Sequence, residues 1–148
     1  YQFAMNYVNG RFSGGVGVGS DSKNGGFLAN DLKGKLQGVM TYDFSTIRPY
    51  LAVGQDKYNA TATARETVNF WLAGATAPLG GQGRVTMNYM NRDVQTDKAG
   101  VLKKLQAEYS YSLSKRSTLY VYVDRDTTNS NRIDSVAKTI GLGMMHKF

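Results

Sequence analysis

The chain has 148 residues with Cys 0, Pro 2, Gly 17, Tyr 10 and a formal net charge of +7. That length suits one ordinary domain. The absence of cysteine excludes disulfides, thiolate-bound zinc and a thiol nucleophile, and no apolar run is long enough for a transmembrane helix.

Plentiful Gly and Tyr with almost no Pro favour sheet over helix, and in chain order nine segments alternate apolar and polar residues with a period of two. Segment 1–8 sets Tyr1, Phe3, Met5 and Tyr7 against Gln2 and Asn6. Segment 12–20 groups Phe12, Val16 and Val18, with glycines between them. Segment 32–44 sets Leu32, Leu36, Met40, Tyr42 and Phe44 against Lys33, Lys35, Gln37, Thr41 and Asp43. Segment 47–55 sets Ile47, Leu51 and Val53 against Arg48, Tyr50 and Ala52. Segment 67–77 puts Val68, Phe70 and Leu72 on one face and Trp71 on the inward one. Segment 84–92 sets Val85, Met87 and Tyr89 against Arg84, Thr86, Asn88 and Arg92. Segment 101–113 sets Leu105, Ala107, Tyr109, Tyr111 and Leu113 against Lys104, Gln106, Glu108, Ser110 and Ser112. Segment 117–125 sets Leu119, Val121 and Val123 against Tyr120, Tyr122 and Asp124. Segment 134–148 carries Ile140, Leu142, Met144, His146 and Phe148 on one stripe. No stretch of similar length has a helical repeat, so the chain reads as all-β.

The connections alternate strictly in length: short NGR, ST, PLGGQG and SKR against long SDSKNGGFLAND, QDKYNATATARE, DVQTDKAG and DTTNSNRI. A transmembrane antiparallel up-and-down β-barrel sorts its connections this way, with short periplasmic turns and longer extracellular loops. Phe148 then falls at the periplasmic rim. The aromatics Tyr7, Phe12, Tyr42, Phe44, Tyr109, Tyr111 and Phe148 gather on the apolar face near the short turns, as in an aromatic girdle at a membrane boundary. The polar faces make an inner wall with basic residues Lys33, Lys35, Arg48, Arg84, Arg92 and Lys104 against Asp43, Asp56, Glu108 and Asp124. Lys104 and Arg48 fall nearest mid-depth. A surplus of cations along such a wall favours anions.

Two stretches, YSLSKRSTLYVYV (109–121 and just beyond) and the ending IGLGMMHKF, resemble the general porins of Gram-negative outer membranes, in their beta-proteobacterial branch. Ser114, Lys115, Arg116, Leu119 and Tyr120 match that family's penultimate turn, while Gly141, His146 and Phe148 match its last strand. NFWLAGATAPLG (69–80) is similar to another strand-and-turn segment. Ser117 stands where the family has Thr, and the Met144–Met145 pair is a departure that leaves the alternation intact. The resemblance implies a sixteen-stranded barrel, a homotrimer, an inward-folded third loop, a lipid bilayer and lipopolysaccharide around the wall, and a C-terminal strand read by the barrel-assembly machinery. Nine strands would be the C-terminal portion of it, since nine alone leave an open edge in lipid. The remaining strands, about seven, are expected in an N-terminal piece or a second polypeptide.

Other motifs carry less. GGVGVGS (14–20) has the glycines of a phosphate loop without the strand-to-helix context or its Lys-Ser/Thr ending. His146 is the sole histidine and points to the lipid side. Asp124, Asp126 and Asp134 flank one outer loop and form a weak Ca²⁺ candidate; otherwise no cofactor, metal or catalytic group is expected. The reading is therefore a water-filled channel for passive diffusion of small hydrophilic, preferentially anionic solutes, not an enzyme. A soluble basic β-sheet protein binding nucleic acid or another polyanion is the alternative. It requires aromatics beside the lysines, whereas here they lie mostly on the opposite face, so no nucleic-acid partner is expected.

Overall fold

In the structure, a computed structural model that describes residues 2–20, 31–59, 65–95, 100–130 and 134–148, the alternation becomes one antiparallel sheet of nine strands in chain order. The strands are β1 (Gln2–Asn9), β2 (Phe12–Gly19), β3 (Asp31–Tyr42), β4 (Arg48–Asn59), β5 (Arg65–Pro78), β6 (Gly83–Gln95), β7 (Gly100–Ser112), β8 (Ser117–Ser130) and β9 (Asp134–His146). Each pairs only with its sequence neighbours, so among the described residues β1 and β9 each keep one unpaired edge.

The short turns are built by local chemistry. Gly10 supplies the positive φ of 57° that closes the β1–β2 hairpin. Between β7 and β8 the Ser114 hydroxyl accepts the N–H groups of Arg116 and Ser117 at 3.1 and 3.0 Å, and the Leu113 N–H donates to the Ser117 carbonyl at 2.9 Å. Between β3 and β4 the Asp43 carboxylate accepts the Ser45 N–H at 2.7 Å.

Register sorts the side chains onto two faces. One carries Phe3, Val16, Met40, Leu51, Met87, Leu105, Val121 and Leu142; this outer face is open, with Leu142 85% and Ile140 78% exposed. The inner face of β4 to β8 is mostly half-buried, because a curling sheet crowds side chains on its concave side. Glycines on that face admit large rings. A Cβ at Gly54 would meet the Phe70 ring, one at Gly74 the Tyr50 ring, and Cβ atoms at Gly141 and Gly143 the Tyr122 and Tyr120 rings. The GGVGVGS glycines all lie within β2, where a Cβ on Gly15 would strike Asn6 Oδ1. Close cross-strand approach accounts for Gly14 and Gly15, and a strand in place of a strand-to-helix turn offers no phosphate cradle.

Two sequence expectations change. At the short-turn end the strand limits fall within two residues of those anticipated, but at the other end β4 reaches Asn59, β6 reaches Gln95 and β8 reaches Ser130. Much of the expected long-loop sequence is strand, and the strict alternation of connection lengths is not observed. The reason is that these extensions are polar on both faces, as in Asp126–Ser130, so no period-two signal marks them. The central residues of those connections, 21–30, 60–64, 96–99 and 131–133, lie outside the described residues. The second change is the face of β5. Trp71 pairs with Val53 on the outer face, and Val68, Phe70 and Leu72 are inside. Segment 67–77 is apolar on both faces, so alternation alone could not orient it.

Gly74 gives a direct check. A Cβ there would lie 2.5 Å from the Tyr50 ring and 2.7 Å from the Met87 carbonyl oxygen, which is backbone and cannot swing away. Gly74→Ala is expected to cost about 1–3 kcal/mol, read as a lower temperature for loss of the heat-modifiable band on a gel.

Candidate functional site

The inner wall is assembled row by row from the register. Lys35 lies opposite Asp56, Arg92 opposite Phe70 and Leu102, and Lys104 between Met90 and Asp126. Arg48 and Arg84 flank the inner ends of β5 at the short-turn mouth, where with Asp43, Ser45, Ile47, Thr76 and Pro78 they line a recess of about 270 Å³. Glu108 lies between Thr86 and Tyr122. Lys35, Arg48, Arg84, Arg92, Lys104, Glu108 and Asp124 therefore share one face.

Three placements differ from expectation. Lys33 sits at a register shift between Leu32 and Gly34 and has no partner on β4; a bulge breaks the alternation that put it on the wall. Arg48 is the first residue of β4 and stands at the mouth rather than at mid-depth. Its tight turn, 43–47, begins sooner than the apolar pattern implied. The proposed Asp124, Asp126 and Asp134 trio is split, because Asp124 and Asp126 face inward and Asp134 faces outward opposite Asn129. Among the described residues no group of three His, Cys, Asp or Glu could hold a metal ion.

Lys104 occupies the space between the two inward aspartates. Its Nζ lies 3.2 Å from Asp124 and 3.4 Å from Asp126, and the Asp124 side chain is only 7% exposed. One cation thus serves two carboxylates, leaving the group one negative charge in excess. In the same row, Val39, Ala52, Leu72 and Met90 run across β3 to β6, with Phe70 and Val68 beyond them and Val68 only 2% exposed. This register row of the wall therefore runs from an apolar half to a charged half. Sequence reasoning missed the apolar half because it followed from the β5 orientation. It placed Asp126 in a loop because the strand extension was silent.

The aromatics Tyr7, Phe12, Tyr42, Tyr109 and Tyr111 are outward on the short-turn half of their strands, with Phe44 in the turn and Phe148 just past β9. Tyr7 and Phe12 rings lie 6.2 Å apart, Tyr42 and Phe44 4.6 Å. His146 points outward too; its Nδ1 is 2.9 Å from the Ser117 hydroxyl and its ring meets Phe148 edge-on at 5.0 Å. A second outward pair, Trp71 and Tyr89 at 5.2 Å, stands toward the other end of the apolar band.

Two substitutions check the ionic geometry. Lys104→Met leaves two facing carboxylates, one nearly buried, and is expected to cost about 1–3 kcal/mol, discounted from the fully buried case for the partial exposure of the lysine. Adding Asp124→Asn restores part of that loss in the same thermal assay. At the β3–β4 turn, the hydrogen bond from Arg48 and then the Ser45 N–H hold the Asp43 carboxyl below its ordinary value of 3.8. A lowered pKa contributes stability that is present above the ordinary value and lost as pH falls through the folded one. The melting temperatures of the parent and Asp43→Asn therefore differ slightly at neutral pH and converge below that carboxylate range.

The comparisons with known proteins agree with this geometry. The family model described as Gram-negative porin matches residues 1–131. The chain is 28% identical over 114 residues to outer membrane porin protein 32 of Delftia acidovorans, across 77% of this chain and 32% of that protein. It superposes on the anion-selective porin from Comamonas acidovorans with a TM-score of 0.81 at 22% identity, covering 98% of this chain and 48% of that one. For outer-membrane expressed OmpT of Vibrio cholerae the TM-score is 0.79 at 15% identity, covering 99% and 49%. The chain thus spans about a third of the curated relative's length and about half of each solved structure's. With the family match over most of its length and nine antiparallel strands on a barrel-type sheet, the chain belongs to the Gram-negative porin family.

Proposed function

We propose that this chain forms part of the wall of a water-filled outer-membrane channel that passes small hydrophilic solutes by diffusion and prefers anions, performing no chemistry. The observation that carries the preference is the pair of exposed inner-face arginines, Arg84 toward the short-turn mouth and Arg92 toward the other. Neither makes an ion pair among the described residues. Lys35 adds to them; Arg48, paired with Asp43, and Lys104, outnumbered by its aspartates, do not. The likeness to a structure titled an anion-selective porin supports this reading.

The wall closes in this reading by pairing the free edges of β1 and β9 with further strands, because unpaired backbone in hydrocarbon costs several kcal/mol per group; closed barrels assemble as a homotrimer. The short turns and the C-terminus lie on the periplasmic side, where the outward aromatics form the lower girdle, and Trp71 with Tyr89 belongs to the upper one. The polar strand extensions rise above the bilayer on the extracellular side, in contact with lipopolysaccharide. The last strand β9, with Phe148 just past it, is the segment offered to the barrel-assembly machinery.

The test is the reversal potential of the full-length porin in a planar bilayer under a KCl gradient. Its sign is expected to be anionic, with a preference that shrinks as salt rises. Arg84→Glu with Arg92→Glu is expected to lower the anion-to-cation ratio several-fold, since a unit charge at 4 Å is worth about 1 kcal/mol even in water. Lys104→Gln has a smaller effect. A cation-selective parent channel, or indifference to both arginines, overturns the assignment.

A further inference from the structure

Arg84 and Arg92 stand on the same inner face, and their surroundings differ. Arg84 lines the short-turn recess, where Asp43, Ser45 and Thr76 also lie, a polar setting. Arg92 lies directly opposite Phe70 on β5 and Leu102 on β7; Cβ atoms so paired are about 4.5–5.5 Å apart. Two residues away along β6, on the same face, is Met90. The diagonal neighbours of Arg92 are Val68 and Leu72 on β5, and Gly100 and Lys104 on β7. Lys104 is the one other charged side chain among these, and Asp124 and Asp126 already claim it. The Arg92 guanidinium is thus an exposed cation set in an apolar surround, with no ion pair among the described residues.

The ring of Phe70 shapes this surface. It lies across Gly54 on β4, where a Cβ would stand 2.5 Å from two of its carbons, so it leans flat along the wall and away from Arg92. Phe70, Leu72, Met90 and Leu102 are half-buried and keep part of their surface open to the inner side. An apolar solute body laid on that strip gains in proportion to the area it removes from water. A charge beside low-dielectric surface also attracts its counter-ion more strongly than one in open water. We propose that Arg92 with Phe70, Leu72, Met90 and Leu102 forms a subsite for monocarboxylates that carry an aromatic or branched aliphatic body. The carboxylate sits on the guanidinium, which it matches as a planar, bidentate partner, and the body lies along the wall. A second carboxylate has no place here. On one side it would meet the apolar strip, and on the other the Lys104 group, which holds one negative charge in excess. The inference rests on the channel reading proposed above and names the class of anion that the wall favours over others.

The full-length porin in a planar bilayer at neutral pH, with benzoate, acetate, succinate or uncharged benzamide added to KCl, tests this. Benzoate is expected to halve the chloride current at a concentration about fivefold below that for acetate, the effect of covering about 40 Å² of apolar surface. Succinate and benzamide, each lacking one half of the match, show no such advantage. Leu102→Thr keeps the charge of the wall; it is expected to raise the half-blocking concentration of benzoate about fivefold at an unchanged reversal potential in KCl. Leu102→Phe lowers that concentration. Arg92→Gln abolishes the benzoate advantage, while Arg84→Gln lowers the anion preference and leaves the advantage intact. Equal block by acetate and benzoate, block by benzamide as strong as by benzoate, or an advantage that survives both Leu102→Thr and Arg92→Gln overturns the proposal. The comparison of acids needs only the parent protein, so it decides the matter even where a variant fails to assemble. A cation-selective parent sinks the channel reading itself, whereas an anion-selective parent indifferent to the body of the acid sinks the subsite alone.

Discussion

A β-sheet that meets hydrocarbon has no solvent with which to share its backbone hydrogen bonds, so every N–H and C=O must find a neighbouring strand. The rest of this structure depends on that ladder. It runs from β1 to β9 with one register irregularity, at Lys33, and it fixes the face of each side chain by parity. Outward positions can then be apolar without aggregating in lipid, and inward positions can be charged without entering a core. Residues such as Leu142 and Ile140, which would be a liability on a soluble protein, become the contact surface with the membrane.

The ladder also explains how the inner wall is packed without a conventional core. Rings on the concave side cannot point into a filled interior, so Tyr50, Phe70, Tyr120 and Tyr122 lie flat across the sheet over glycines on the adjacent strand. This covers backbone where glycine leaves it bare and keeps the ring close to the wall, preserving lumen width. The Lys104 group applies the same economy of space to charge. One ammonium holds Asp124 and Asp126 along the wall and partly neutralises both.

How much of this was legible in the sequence depended on whether the two faces differed. In β8 and β9 an outward aliphatic stripe alternates with tyrosine, glycine and polar residues, and both orientation and register followed from parity. In β5, Val68, Phe70, Leu72 and Trp71 made both faces apolar, and the choice of the larger set as outward was reversed. The strand extensions were silent for the opposite reason, being polar on both faces. Lys33 was misplaced because a bulge has no signature in composition, and Arg48 because depth is counted from a turn whose length was underestimated. The aromatics near the short turns lie at the end where strand limits were well marked, so their outward parity could be read from the sequence.

The formal charge of +7 looked at first like the source of anion preference, and the geometry redirects that argument. On the described inner face Lys35, Arg48, Arg84, Arg92 and Lys104 are matched one for one by Asp43, Asp56, Glu108, Asp124 and Asp126. The surplus lies elsewhere, on Arg11, Lys115, Arg116 and Lys147 at the short-turn end and on the outward Lys57, Lys103, Arg125 and Lys138. Net charge therefore gathers at the short-turn end and on the outward face, and on the proposed channel reading selectivity comes from arrangement. A paired carboxylate is locally neutralised, and an unpaired arginine at a mouth is not. On the proposed channel reading, what a permeating anion meets is set by the exposed guanidinium groups of Arg84 and Arg92, and the same total charge with the ion pairs exchanged would give a different preference.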